Sequence, residues 1–340
     1  MKALELKSIG HVALMDVDKP VVGPDELLVR TGAAVICTSD ITDIRSNPFG
    51  IPLPVILGHE AAGTVAVVGG AVRGFCEGDR VTTHPVHPCG QCAACAEGLC
   101  HLCERMGHFG VNRPGTFAEF YTVRWDRARR IPMAVDFARA ALSEPVAVCL
   151  EAIQQARLKA GDRLLIVGDG PFGILIAQLV NNLKLAKTVI TGHHDFRLAL
   201  ARDATQVNTR RLTDPQAELL RIGAGGYDAA ILAVGRADAC RLALGLLRPR
   251  GRLVVFSALP GDTPLDLFRV HVKELEIVGA CNDQDRFDDA VRIMSDPKCR
   301  LGELITHRFP LADYEKALAL AGGSHQEAIK VAFVFPKQQP

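Results

Sequence analysis

The sequence predicts an α/β protein of two domains: a β-rich domain, and a doubly wound parallel sheet with helices on both faces. Three observations carry that expectation. Residues 1 to about 150 hold short strand-like runs separated by Gly, Pro and Asp punctuation. From about 150 the texture changes to short apolar runs alternating with segments of helical spacing. Among these lies Gly168-Asp169-Gly170-Pro171-Phe172-Gly173, a glycine-rich turn that follows an apolar run and opens a helix.

In chain order, Glu26-Leu27-Leu28-Val29-Arg30 and Gly63-Thr64-Val65-Ala66-Val67-Val68 have strand composition. Val22-Gly23-Pro24-Asp25-Glu26 reads as a turn feeding the first of them. The proline-rich stretch from Asn47 to Pro54 is an irregular loop that delivers the chain to Gly58-His59-Glu60. In the second texture, Arg163–Val167 is too short for a helix and reads as a strand, and Ile174–Leu183 has helical spacing. Thr188–Thr191, Asp228–Ala233 and Arg252–Phe256 are further strands. Beyond about 280 the pattern is mixed: helices over Phe287–Met294 and Asp313–Ala321, and a closing strand over Lys330–Phe335. No flexible linker, internal repeat or low-complexity segment interrupts this order.

Bulk properties set limits. A length of 340 residues suits two domains better than one core. With 48% hydrophobic and 23% charged residues the composition is that of an ordinary globular protein. A net charge of +1 and the lack of basic runs argue against a nucleic-acid partner. No apolar run approaches the ~20 residues that cross a bilayer, and Met1–Lys7 lacks the apolar core of a signal peptide. Eleven cysteines in such a chain point to a reducing, cytoplasmic setting where clustered thiols bind metal.

Cys89-x-x-Cys92-x-x-Cys95 followed by Cys103 is the most specific cluster. Four thiolates close a tetrahedral zinc site and leave no position for a substrate, so this cluster holds a lobe together. Cys100 is an alternative fourth ligand or a free thiol. His84, His87, His101 and His108 read as loop histidines flanking that lobe, and Trp125 as a residue at the surface of the first domain. A second set, Cys37, then His59-Glu60, then Glu144-Pro145, again offers sulfur, imidazole and carboxylate, the donors of a borderline-soft metal.

In the glycine-rich turn, Gly168 permits the tight bend, Gly170 lets the backbone approach a pyrophosphate and Gly173 lets helix and strand pack. The phosphates then sit at the positive end of the helix that Pro171 and Phe172 begin. An acidic residue at the end of the second strand would grip the adenosine ribose and favour NAD. Gly192 occupies that position, and His193, His194 and Arg197 follow. This favours NADP or dual use over strict NAD. The alternative is that Asp195 takes the acidic role from a shifted loop.

Cys37-Thr38-Ser39-Asp40, Gly58-His59-Glu60, the four cysteines, Glu144-Pro145-Val146-Ala147-Val148 and the glycine-rich turn follow in one order. That order resembles the zinc-containing medium-chain dehydrogenase/reductase superfamily over essentially the whole chain. It is most similar to the branch of sorbitol, threonine and sugar-acid (galactonate-type) dehydrogenases. The resemblance implies a GroES-like catalytic domain over 1–149 and 284–340, with a structural-zinc lobe at about 85–108, and a Rossmann dinucleotide domain over 150–283. It implies that Cys37 and His59 bind a catalytic zinc, with Glu60 and Glu144 as the carboxylates around it, either one the direct ligand. Ser39 matches the hydroxyl that takes the substrate proton, and Asp40 the group that orients His59. Gly235, Ser257, Ala258 and Asn282 match segments that line the cofactor. The implied reaction passes hydride between a secondary hydroxyl of a polyol, sugar acid or related small molecule and NAD or NADP, in a homodimer or homotetramer. Zinc lowers the hydroxyl pKa in such a reaction. Two departures stand out: Thr42 replaces a relay imidazole common in the family, and Thr38 replaces a glycine usual in the branch. Competing readings are a primary-alcohol dehydrogenase and a non-catalytic nicotinamide redox sensor; the sensor requires a lost zinc ligand, and none is lost.

Overall fold

The computed structural model describes residues 1–259, 261–323 and 327–336. It divides into two compact units, Met1–Ala147 with Gln284–Pro340, and Val148–Asp283.

The first unit is built on a seven-stranded sheet centred on the strand Glu26–Val35. That strand pairs antiparallel with Glu60–Val68, with Phe120–Arg124 along its first half, and with Lys330–Val334 at its end. Arg80–Thr83 and Ala128–Arg130 extend the sheet on one side, and Ile305–Pro310 joins Lys330–Val334 in parallel on the other. Leu27, Val29, Ala61, Val65, Val123 and Phe333 face one core, with Leu4, Leu6 and Phe117 packed into it. The hairpin Lys2–Ser8 and His11–Asp16 belongs to a separate three-stranded sheet.

Register explains why the centre of this sheet carries a site. Val35 is opposite Glu60 on one neighbour and Ala332 on the other. The central strand therefore ends where both antiparallel neighbours begin. Cys37, Glu60 and Lys330 are thus gathered at one end of three adjacent strands, although the last two are 270 positions apart.

The second unit is a six-stranded parallel sheet. Its strand order is Thr205–Asn208, Lys187–Gly192, Arg163–Val167, Tyr227–Leu232, Leu247–Val255 and Glu276–Gly279. The first strand in sequence lies third in space, and the chain grows outward from it on both sides. This creates a topological switch point between Arg163–Val167 and Tyr227–Leu232, where parallel sheets bind ligands beyond the carboxyl ends of their strands. Leu164, Leu165, Ile166, Val189, Ile190, Ala230 and Ile231 are fully buried, which is why these strands read as continuous apolar runs. The helix expected at 174–183 begins earlier, at Pro171, and its last turn tightens to 3-10 form over Val180–Leu183.

Candidate active site

Cys37 is the N-cap of the helix Thr38–Ser46, and Asp40 lies in its first turn. Asp40 Oδ2 accepts the Cys37 amide at 2.8 Å, and Asp40 Oδ1 lies 3.5 Å from His59 Nδ1. One buried carboxylate therefore fixes the capping backbone and turns the imidazole so that Nε2 faces away from Asp40. Gly58 precedes His59 at φ +94, and a Cβ there would lie 2.3 Å from the Phe117 ring, so only glycine lets the chain enter the strand at this point.

Cys37, His59 and Glu60 are all buried, and one donor atom from each falls within 4.8 Å of the others. Glu60 Oε2 is buried without a hydrogen-bond partner among the described residues. Burial alone pushes His59 down, but the Asp40 carboxylate and Cys37 outweigh it and hold its pKa well above the ordinary value. A thiol, an imidazole and a carboxylate oxygen within reach of one another are the donor set of a zinc ion.

Ser39 sits half-buried in the first turn of the same helix. Thr42 Oγ1 donates to Thr38 O at 3.0 Å, a bond within the helix. Glu144 stands in the first turn of the helix Ser143–Ala156, half-buried and outside the Cys37–His59–Glu60 set, yet its charge acts on Lys330.

Lys330 was not among the residues singled out by sequence. Its ammonium forms a fully buried ion pair with Glu60 Oε1. Burial opposes the charged lysine, but Glu60, Cys37 and Glu144 together raise its pKa. The signal was a lysine heading an otherwise apolar strand.

His108 pairs with Val86 at the edge of the cysteine lobe and also reaches the metal pocket. Its ring centroid is 5.5 Å from that of His59. Nδ1 lies 2.7 Å from the Phe109 carbonyl, which fixes the proton there and leaves Nε2 as an acceptor. Burial, then the charge of His59, push its pKa down to about 3. His84, in the loop after Arg80–Thr83, and His87, in the short strand Val86–His87, are both buried. The His84 ring meets Phe287 edge-on at 5.0 Å and its Nδ1 accepts the Val86 amide, while His87 packs on Phe109.

Cys89, Cys92, Cys95 and Cys103 bring their sulfurs within 4.8 Å of one another; Cys100 is not in that set. Cys92 Sγ and Cys103 Sγ are 3.8 Å apart. Tetrahedral zinc with bonds of about 2.3 Å needs sulfurs about 3.8 Å apart, so the loop fits the ion. Amide donors complete it: Cys89 N–H points at Cys103 Sγ at 3.2 Å and Gln91 N–H at Cys89 Sγ at 3.4 Å. Chiefly through the Gln91 amide, with help from Cys103 and Arg105, the Cys89 pKa falls to about 6.

In the second unit, Gly168 has φ +126, and a Cβ on Gly173 would lie 1.9 Å from Gly168 O. Pro171 opens the helix, and nothing lies within 4 Å of a Cβ built on its N-cap, Gly170. This open backbone at a helix N-terminus could cradle a pyrophosphate. Phe172 stacks edge-on with Phe256 at 5.1 Å. Gly235 approaches Ala258 O closely, and the Ser257 amide donates to Leu232 O, so both segments lie at the carboxyl ends of the sheet. Asn282, at φ 53, follows the last strand. The amides of His193 and His194 both turn toward Asp169, and Arg197 lies on the short helix Asp195–Ala199. Asp195 pairs with Arg211 and accepts a hydrogen bond from Asn208 Nδ2.

Known proteins share this combination. Residues 23–133 match the alcohol dehydrogenase GroES-like domain, and residues 171–296 match the zinc-binding dehydrogenase domain. The L-threonine 3-dehydrogenase of Salmonella arizonae is 31% identical, over 97% of this chain and 99% of its own. The chain belongs to the zinc-containing medium-chain dehydrogenase/reductase superfamily. A 2-dehydro-3-deoxy-L-galactonate 5-dehydrogenase of Pseudoalteromonas atlantica is 30% identical, covering 94% of this chain and 95% of its own. A zinc-binding dehydrogenase of Sinorhizobium meliloti, solved with NADP bound, superimposes with a TM-score of 0.90 at 28% identity, over 98% and 99% of the two chains. This dehydrogenase thus combines a GroES-like and a Rossmann-type domain and is a zinc- and NAD(P)-dependent oxidoreductase of the sugar-acid and threonine dehydrogenase branch. Among the described residues no helix is long and apolar enough to cross a membrane.

Proposed function

We propose that this dehydrogenase oxidises a secondary hydroxyl of a polyol, sugar acid or hydroxy-amino acid, with Cys37 and His59 as ligands of its catalytic zinc. The supporting observation is the convergence of Cys37, His59 and Glu60 in one buried pocket with an unpartnered carboxylate oxygen. Zinc held there would acidify a bound hydroxyl and polarise the ketone in reverse, and a nicotinamide would take or return the hydride.

The chain's own residues have separable tasks. Asp40 holds His59 in one orientation and one tautomer. Lys330 draws one oxygen of Glu60 to itself, so that at most the other faces the metal. Glu144 is the second carboxylate of the site. Ser39, in the first turn beside Cys37, receives the hydroxyl proton; with Thr42 bonded into its helix, the proton leaves to water or the cofactor ribose. The four-cysteine loop holds a second, structural zinc, and Gly168–Gly173 binds the pyrophosphate. The outer strand Glu276–Gly279 and the exposed Leu267, Phe268 and Val272 offer a surface for assembly into a cytoplasmic homodimer or tetramer. The test is turnover of a panel of polyols, sugar acids, threonine and primary alcohols with NAD and with NADP. Turnover confined to the primary alcohols would refute the secondary-hydroxyl assignment.

A further inference from the structure

Gly192 ends the second strand of the parallel sheet, where folds of this kind place the carboxylate that binds the adenosine ribose. The strand end lacks an acidic side chain, but the space above it is filled by one. A Cβ on Gly192 would lie 2.3 Å from both Cβ and Cγ of Asp169 and 2.5 Å from its Oδ2. Asp169 reaches across from the glycine-rich turn and occupies the ground that a strand-end side chain would use. Its Oδ2 accepts three N–H groups: the His193 amide at 2.7 Å, the His194 amide at 2.8 Å and His194 Nδ1 at 3.1 Å. Its Oδ1 carries no hydrogen bond among the described residues, and the side chain keeps 13% of its surface open to solvent.

Three donors on one oxygen fix the position of the other. The carboxylate cannot swing away without leaving two backbone amides unpaired. Of the groups expected beside a 2′-phosphate, His194 is engaged by Asp169 itself.

We propose that Asp169 selects the cofactor of this dehydrogenase: from the glycine-rich turn it supplies the carboxylate that meets the adenosine ribose, and so favours NAD over NADP. Oδ1 accepts a ribose hydroxyl, and the negative charge opposes a 2′-phosphate. Glycine at 192 is then a requirement of packing against Asp169 rather than a mark of NADP use. The inference rests on the dinucleotide site assigned above.

Direct binding tests it without turnover. The purified chain and Asp169→Asn are titrated with NADH and NADPH, following nicotinamide fluorescence. The unsubstituted chain binds NADH more tightly, and Asp169→Asn, which retains acceptors for the His193 and His194 amides, moves the affinity ratio toward NADPH by on the order of tenfold. A residue that merely braced the turn would weaken both nucleotides equally; an unmoved ratio, or tighter NADPH binding by the unsubstituted chain, overturns the proposal. Should the variant fail to fold, competition on the unsubstituted chain decides: ADP-ribose displaces NADH at lower concentration than its 2′-phosphate, and the reverse order overturns the proposal. Failure to bind either nucleotide would instead remove the dinucleotide site itself.

Discussion

The ion pair between Lys330 and Glu60 is a buried contact whose removal has separable consequences for stability and for chemistry. Lys330→Met leaves a buried carboxylate without its cation and costs about 3–5 kcal/mol of stability. Urea unfolding measures the loss, and adding Glu60→Gln to the same chain restores part of it because the orphaned charge is gone. A Lys330→Met chain as stable as the parent would contradict the pairing. His87 gives a second test at this scale. Burial first, then the Arg113 charge, lower its pKa to about 3 in the folded chain. The unfolded chain takes up the proton first as pH falls, so stability is full above about 6.5 and is lost progressively toward about 3. One proton corresponds to a slope of about 1.4 kcal/mol per pH unit, and His87→Phe flattens the stability profile by that amount over this window. Neither Lys330 nor Asp169 could be chosen from the sequence, because each matters through a partner distant along the chain: Glu60 for one, His193 and His194 for the other. The four clustered cysteines were legible because their spacing has few other uses, whereas Cys37 and His59 were legible only through their place in the family's order of motifs.

Elements differ in how plainly they announce themselves. Arg163–Val167 is a strand with the expected ends, since a strand buried on both faces leaves an uninterrupted apolar run. The antiparallel strands of the first unit were less visible. Phe120–Arg124 alternates buried and half-buried residues with a terminal arginine. In the second unit, the strand Leu247–Val255 begins before the expected Arg252, through Arg248-Pro249-Arg250. Two loops make testable demands. In the cysteine loop, Cys92→Ala opens the tetrahedral set, and the melting temperature falls while zinc content drops from two ions per chain to one. An unchanged melting temperature with both ions retained would count against a structural site. In the glycine-rich turn, Gly173→Val places its Cβ on the Gly168 carbonyl. NADH binding weakens by on the order of tenfold or more while both zinc ions remain, because the turn and the metal sites belong to different units.

At the scale of the whole molecule, two sheets of opposite style divide the chemistry. The mainly antiparallel sheet gathers Cys37, Glu60 and Lys330 at three strand ends, and the parallel sheet opens a switch point for a dinucleotide. Both styles were legible as a change of texture near residue 150, because half-exposed and doubly buried strands have different compositions. The substrate was not legible, since pocket walls come from residues scattered along the chain. The central claim is that a metal at Cys37 and His59 makes an alcohol reactive toward a nicotinamide. The most direct measurement is turnover and zinc content of Cys37→Ala on whichever panel substrate the unsubstituted chain oxidises fastest. The expected result is a folded chain that keeps the ion of its cysteine loop, still binds NADH and has lost roughly a thousandfold or more in turnover. Full turnover by that variant would contradict it.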